Sequence, residues 1–185
     1  MQRGEFHFCS CRSGRTYAEK VVEQLKDIIT QRGAYVTKKK AKGEKLTLYE
    51  KREKKFVQQA DELGHDLGEA HVMHFEDDEM NILLGKKENV RDKDVFLIQC
   101  PYNTTDGLSV SQNLIETFNY LDALKRAKAK SITLISLYLP YGRGDKQHGK
   151  DGVPAAVLAN LLTAAGMDNI ITMDLHADQI LGFFD

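Results

Sequence analysis

The sequence predicts an α/β protein built on a mainly parallel sheet that helices cover on both faces. Residues 94–100, 131–139 and 169–175 are almost continuously apolar, which is typical of strands buried on both sides. Two segments with helical periodicity, residues 112–128 and 154–165, alternate with these strands. Such alternation indicates βαβ units, whose strands run parallel. A length of 185 residues corresponds to about one domain.

The N-terminal region is less regular than the rest of the chain. Residues 5–9 predict a short strand, and the apolar residues between positions 14 and 32 recur every three or four positions, which predicts an amphipathic helix. We expect this helix to end at Gly33. Residues 45–64 predict a second, highly charged helix, and residues 71–75 predict another short strand.

The composition excludes several classes of protein. The chain has 26 Lys and Arg against 27 Asp and Glu, and this near balance provides no general attraction to nucleic acid or to an anionic membrane. No apolar run reaches the roughly 18 residues that span a bilayer, and the first residues contain no apolar segment of a secretory signal. Three cysteines are too few for a disulfide scaffold. These features predict a reduced, cytoplasmic protein without membrane or nucleic-acid partners.

The near-neutral net charge conceals two oppositely charged segments. Residues 38–55 carry nine Lys or Arg and three Glu, a net +6, whereas residues 61–79 carry eight acidic and no basic residues, a net −8. The basic segment is interpreted first as a solvated helix face or an insertion. The alternative is a patch that binds nucleic acid or another anion, although only Tyr49 and Phe56 supply aromatic rings for stacking.

Polar segments follow each of the three apolar strands. The carboxyl ends of parallel strands meet at one edge of a sheet, where ligands of open α/β folds bind, so residues 101–107, 140–152 and 176–178 are expected to lie together. Arg and Lys beside glycines suit phosphate oxygens, and a carboxylate with an imidazole can hold Mg²⁺ or Mn²⁺. This edge therefore predicts a metal-assisted enzyme or binder of a phosphate ligand. The side chains expected there are those of Arg143, Asp145, Lys146, Lys150, Asp174 and His176.

Four segments of the chain stand out as motifs: DLHADQILGFFD at 174–185, LPYGRGDK at 139–146, FEDDE at 75–79 and the helix that begins SQNLIE at 111–116. All four resemble motifs of the ribose-phosphate pyrophosphokinase family, and the first is the most specific. The resemblance covers most of the chain except about residues 30–68. It implies a phosphoribosyltransferase-like, three-layer α/β domain that is the first of two. It also implies Mg²⁺-dependent transfer of the β,γ-diphosphoryl group of ATP to the 1-hydroxyl of ribose 5-phosphate, which supplies 5-phosphoribosyl 1-pyrophosphate for nucleotide biosynthesis.

The resemblance also implies roles for individual residues. Arg143, Gly144, Asp145 and His176 correspond to contacts with the ATP phosphates or base. Three residues of the FEDDE segment, Phe75, Asp77 and Glu79, correspond to contacts with adenine across a subunit interface, so a homo-oligomer is expected. The family's metal-binding signature corresponds to His176, Asp174 and Asp185. No catalytic residue is expected within this chain, since the catalytic Lys/Arg loop and the ribose 5-phosphate loop belong to the family's second domain.

The sequence departs from the family pattern at four points. Gly144 replaces a glutamine, the loop from Arg143 to Pro154 is one residue longer, and residues 30–68 form a charged insertion. The sequence also ends at Asp185, inside the signature. We therefore expect residues 1–185 to form an ATP-side domain that is inactive without a second domain. The alternative is a catalytically silent homologue or fragment that associates with active synthetase subunits.

Several candidate residues and motifs also have a purely structural or incidental interpretation. His176 follows an apolar strand and could be structural, and Asp174 could orient the loop by hydrogen bonding to its backbone. The RGD tripeptide at 143–145 and the glycosylation sequon at 103–105 have no meaning in a cytoplasmic protein.

Two pairs of potential metal ligands are also discounted. Cys9 and Cys11 are too close for the usual zinc spacing. His71 and His74 would lie on opposite faces of a strand.

Overall fold

The computed structural model describes residues 6–43, 45, 47, 67–86, 88–102, 107–173 and 175–184. The strands are β1 Phe6–Ser10, β2 Ala70–His74, β3 Met80–Leu84, β4 Asp94–Gln99, β5 Ser131–Ser136 and β6 Asn169–Thr172. The helices are α1 Arg15–Ala41, α2 Val110–Arg126 and α3 Pro154–Ala165, with short 3-10 helices at Arg12–Gly14 and Asp178–Phe183.

The main sheet has four parallel strands in the order β1-β4-β5-β6. The predicted parallel α/β architecture is therefore confirmed. Strand β4 lies inside the sheet, and its Val95, Leu97 and Ile98 are fully buried, as an apolar run with no polar face requires. The apolar segments that begin at residues 131 and 169 extend beyond the strands, because their last residues enter the loops at the carboxyl edge.

Helices pack against both faces of this sheet. Leu97 of β4 joins a large cluster with Leu121 and Leu124 of α2 and Leu158 of α3. Side chains alternate across a strand, so Ile98 faces the opposite side. Helix α1 contacts β1 and β4. Two helices on one face and α1 on the other give the expected three-layer arrangement.

The expectation that the first helix ends at Gly33 is wrong. Helix α1 has 27 residues and continues to Ala41. A glycine inside a helix costs about 1 kcal/mol relative to alanine. The helix continues through Gly33 because the residues on either side favour helix enough to offset this cost. The helix ends beside Gly43, whose φ of 72° lies in the left-handed region that terminates helices. Lys38 to Lys42, the start of the basic segment, thus lie on the exposed end of α1.

A two-stranded antiparallel hairpin, β2 with β3, stands apart from the main sheet. The predicted strand near residues 71–75 is confirmed, whereas β3 was missed. Its alternation is weak, because Ile82 is buried but the neighbouring apolar Leu83 is half-exposed. The hairpin packs on α2, where the Asn119 side-chain amide donates to the carbonyl of Met80 at 3.1 Å.

Some predictions fall on residues that the structure does not describe. These are the helix at 45–64, of which only residues 45 and 47 are described, the sequon at 103–105, and the candidate ligands Asp174 and Asp185. Within the described ranges, none of the helices is long and apolar enough to cross a membrane.

Candidate functional site

The loop that follows β5 has an unusual backbone that exposes Arg143. Tyr141 has a φ of 60°, in the left-handed region that a bulky residue occupies only under strain. Its phenol makes a 3.0 Å hydrogen bond with the Ser111 hydroxyl near the start of α2, and its carbonyl accepts from the Gly144 amide at 2.9 Å. Arg143 lies between these anchors with its side chain exposed. Tyr141 is thus tied both to α2 and to Gly144, while the Arg143 side chain remains exposed.

The loop after β5 contacts the loop after β6. A Cβ atom added to the buried Gly142 would lie 3.3 Å from Cβ of His176 and 3.5 Å from Cδ1 of Ile180. The adjacent residue Arg143 therefore lies beside the backbone that carries His176. Parallel topology predicts that the two loops converge, and the structure packs Gly142 of one loop against His176 of the other. The side chains of Arg143 and His176 are both exposed.

The 3-10 helix at Asp178–Phe183 anchors the contact between the two loops to the apolar core. Its Ile180 is fully buried and belongs to the large apolar cluster. The Gln179 side-chain amide donates to a carboxylate oxygen of Asp145. The 174–185 segment and the 139–146 segment, which the sequence presents as separate motifs, are thus joined through side chains. Lys146 and Lys150 are exposed in the same loop.

Gly144 is packed closely against the first residue of α3. A Cβ atom at this position would lie only 2.8 Å from Cδ and 2.9 Å from Cγ of Pro154. The Ala155 amide also donates to the Gly144 carbonyl at 3.2 Å. The proline ring therefore occupies the space that a glutamine side chain would need, which explains why glycine stands there.

The FEDDE segment forms a compact exposed turn between β2 and β3. The Phe75 amide donates to the Glu79 carbonyl at 2.9 Å, and the Asp78 amide donates to the Phe75 carbonyl at 3.1 Å. The Glu79 amide also lies 3.3 Å from a carboxylate oxygen of Asp77. Phe75 is 50% exposed, so its ring is available for stacking. The turn belongs to the hairpin and not to the main sheet edge, and its predicted role across a subunit interface stays a prediction.

A buried polar cluster lies beneath this region, and the sequence did not reveal it. Glu116 of α2 is fully buried and binds Arg12, whose side chain also reaches His74 at the end of β2. Nearby, Ser13 donates to Gln99, whose own amide donates to Thr117 at 3.0 Å. No motif links Arg12 to Glu116 or to His74, because these residues lie far apart in the sequence. Tyr141 and Gln179 lie within the 139–146 and 174–185 motifs, so the resemblance could have indicated that they belong to the site.

The structure does not support a metal site at the two cysteines. Burial raises the pKa of Cys9 to about 12 and the pKa of Cys11 well above its usual value, so in the metal-free protein neither thiol is a reactive thiolate. None of the three cysteines forms a disulfide bond. In the part of the chain that is described, no cluster of three potential metal-binding side chains occurs. The predicted set of His176, Asp174 and Asp185 is not covered by this observation, because its two carboxylates lie outside the described residues.

The sheet and its covering helices define an α/β domain of the phosphoribosyltransferase-like type. Residues 7–166 match the protein family described as the N-terminal domain of ribose phosphate pyrophosphokinase. The chain belongs to the ribose-phosphate pyrophosphokinase family and corresponds to that N-terminal domain.

Individual relatives agree with this assignment. The chain is 43% identical over 127 residues to a ribose-phosphate pyrophosphokinase of Fusobacterium nucleatum, covering 68% of this chain and 38% of the relative. It is 46% identical over 125 residues to the enzyme of that name from Burkholderia pseudomallei, covering 66% and 37%. A crystal structure of phosphoribosylpyrophosphate synthetase from Mycobacterium smegmatis superposes with a TM-score of 0.70 at 27% identity, covering 98% of this chain and 46% of that one. The chain thus spans less than half the length of these relatives.

Proposed function

We propose that this chain is the ATP-side part of a ribose-phosphate pyrophosphokinase. In the complete enzyme the β,γ-diphosphoryl group of ATP is transferred to the 1-hydroxyl of ribose 5-phosphate. The observation that carries the proposal is the contact between the loops after β5 and β6, in which Gly142, the residue before the exposed Arg143, packs against His176 at the carboxyl edge. A cation and an imidazole at such an edge suit a polyphosphate ligand.

The described residues act in this proposal by positioning and by neutralising charge. Arg143 binds phosphate oxygens, and the Gln179 bond to Asp145 keeps the loop in place for that contact. Transfer of this kind asks little covalent chemistry of the protein, so positioning and charge neutralisation are sufficient roles for these residues. The acceptor, ribose 5-phosphate, would be bound by a second domain.

A magnesium ion fits the donors proposed for it. Two carboxylates and one imidazole form a hard, mostly oxygen set, and His176 is exposed at the edge where phosphates would lie. His176 would hold the Mg²⁺ with Asp174 and Asp185, and the ion would neutralise phosphate charge.

The adenine contacts complete the proposal. Phe75, Asp77 and Glu79 would contact the adenine of a nucleotide bound mainly by another subunit, so the active form would be a homo-oligomer. A cytoplasmic location is part of the same proposal. It is supported by three buried thiols that form no disulfide bond and by the proposed nucleotide substrate.

Calorimetric titration with ATP and Mg²⁺ tests the site. Arg143→Ala should weaken binding at least about tenfold, because charge-assisted hydrogen bonds to phosphate are lost. The matched control is Arg91→Ala, which removes another exposed arginine outside the site. Equal ATP affinities for the Arg143 variant and the wild-type protein would disprove the site.

The second candidate is a catalytically silent subunit that assembles with active synthetase. The packing of Pro154 into the space of the family glutamine favours it, because one side-chain contact to ATP is then absent. Co-expression with an active synthetase tests this candidate. Failure to co-purify would rule it out.

A further inference from the structure

Glu116 is a charged side chain in the interior of the protein. Its side chain is 0% exposed, and a buried carboxylate is stable only when it is paired and hydrogen-bonded. Arg12 supplies both needs, since its backbone amide donates to Oε1 at 2.7 Å and its Nε donates to Oε2 at 2.9 Å. These two bonds use the backbone and one nitrogen of the guanidinium.

A different nitrogen of Arg12 reaches the hairpin. Its Nη1 lies 2.9 Å from Nε2 of His74, the last residue of β2. A guanidinium can only donate, so Nε2 of His74 accepts in this hydrogen bond. The next residue is Phe75, the first residue of the exposed turn. Arg12 therefore links the buried carboxylate of α2 to the base of that turn.

The turn has a second anchor on the same helix. Asn119 holds the carbonyl of Met80, which is the first residue after the turn. The hydrogen bonds inside the turn keep Phe75 to Glu79 together as a unit, so the unit is attached to α2 at both ends. Near its start, α2 also binds the Tyr141 phenol through Ser111. A single helix thus sets the position of both the turn and the Arg143 loop.

We propose that Arg12 is a positioning residue that fixes the Phe75–Glu79 turn on α2 through His74 and so determines how well the protein recognises an adenine ring. This inference rests on the proposed function, because the turn is taken to contact adenine. The purely structural alternative is that Arg12 only neutralises Glu116. The two roles use different atoms of Arg12, so variants of His74 separate them.

The test compares His74→Phe with His74→Gln. Phenylalanine removes the acceptor but leaves the Arg12 bonds to Glu116 intact, whereas glutamine retains an acceptor oxygen. The matched control is His71→Phe, which changes another exposed histidine of the same strand. Affinities of the full chain for ATP and for inorganic tripolyphosphate are measured with Mg²⁺ by calorimetry, because only ATP carries the adenine.

We expect His74→Phe to weaken ATP binding about threefold to tenfold, which is the net effect of one ordinary hydrogen bond within a protein. Tripolyphosphate binding should not change. His74→Gln and His71→Phe should stay within about twofold of the wild-type protein for both ligands. Unchanged ATP affinity in His74→Phe, or equal losses for ATP and tripolyphosphate, would overturn the proposal.

Hydrogen exchange provides a readout that needs no ligand. In His74→Phe the amides of Phe75, Asp78 and Glu79 should exchange faster while those of α2 keep their protection. Unaltered exchange in the turn would refute the positioning role even if nucleotide affinity fell. If the wild-type protein bound no ATP, or if Arg143→Ala bound it normally, the proposed function would fail, and exchange alone would decide whether Arg12 positions the turn.

Discussion

Gly144→Ala is expected to destabilise the loop that carries Arg143, although it adds only one methyl group. The new Cβ would lie 2.8 Å from Cδ of Pro154. Carbon atoms in contact normally lie about 3.5–4.0 Å apart, so roughly 0.7 Å or more must be gained by movement. A proline ring cannot rotate away, and the hydrogen bond between Ala155 and Gly144 opposes a shift of the backbone.

The magnitude follows from what such overpacking costs. Added carbon atoms in tightly packed sites destabilise by about 1–3 kcal/mol, and the lower part of that range applies to a half-buried loop. For a domain of this size each kcal/mol lowers the Tm by about 2–4 °C. We therefore expect Gly144→Ala to lower the Tm by about 2–6 °C and to weaken ATP binding, since the Arg143 loop is displaced.

Thermal unfolding of a double-mutant cycle is the assay. Pro154→Ala removes the ring, so adding Gly144→Ala in that background should be nearly free of cost, with a coupling of about 1 kcal/mol. Gly152→Ala is the control, because a Cβ at that position in the same loop would meet nothing within 4 Å. A Gly144→Ala protein as stable as the wild type, or one equally destabilised with Ala at position 154, would refute the reasoning.

Three further outcomes are expected. Arg12→Ala leaves the buried Glu116 charge unpaired and should lower the free energy of unfolding by about 3 kcal/mol in urea titrations, whereas a loss below about 1 kcal/mol would show that the pair is not essential. Burial lowers the pKa of His7 below its usual 6.5 despite the nearby Glu88. As the pH falls, the unfolded chain therefore binds a proton at His7 before the folded protein does. The free energy of unfolding is retained above pH 6.5 and falls as the pH drops further. His7→Gln should reduce this pH dependence when unfolding is measured at pH 7.5 and 5.5. Binding of an oligonucleotide should be weak because the net charge is −1, and a steep decrease of its affinity with salt would instead identify residues 38–55 as an anion-binding segment.

The amino-acid pattern by itself determined the architecture of the sheet. The apolar runs that begin at Asp94, Ser131 and Asn169 became β4, β5 and β6, because strands buried on both faces leave an unbroken apolar signal. Because parallel strands end at one edge of the sheet, the sequence also predicted that the loops carrying Arg143 and His176 converge, and this needed no information on side-chain contacts. Local cues were less reliable, as shown by α1 passing through Gly33, since a helix tolerates the modest cost of one glycine.

Only the tertiary structure decided which polar residues work together. Arg12 and Glu116 are 104 positions apart, and neither has a local pattern that indicates burial or pairing. From the sequence, Gly144 is interpreted as the loss of the family's glutamine side chain. In the fold, the Pro154 ring occupies the space that this side chain would need. Periodicity reports which face of a strand or helix is apolar, so it predicts elements and the sheet edge. Hydrogen bonds and close contacts depend on distances between elements, and these exist only once the chain has packed.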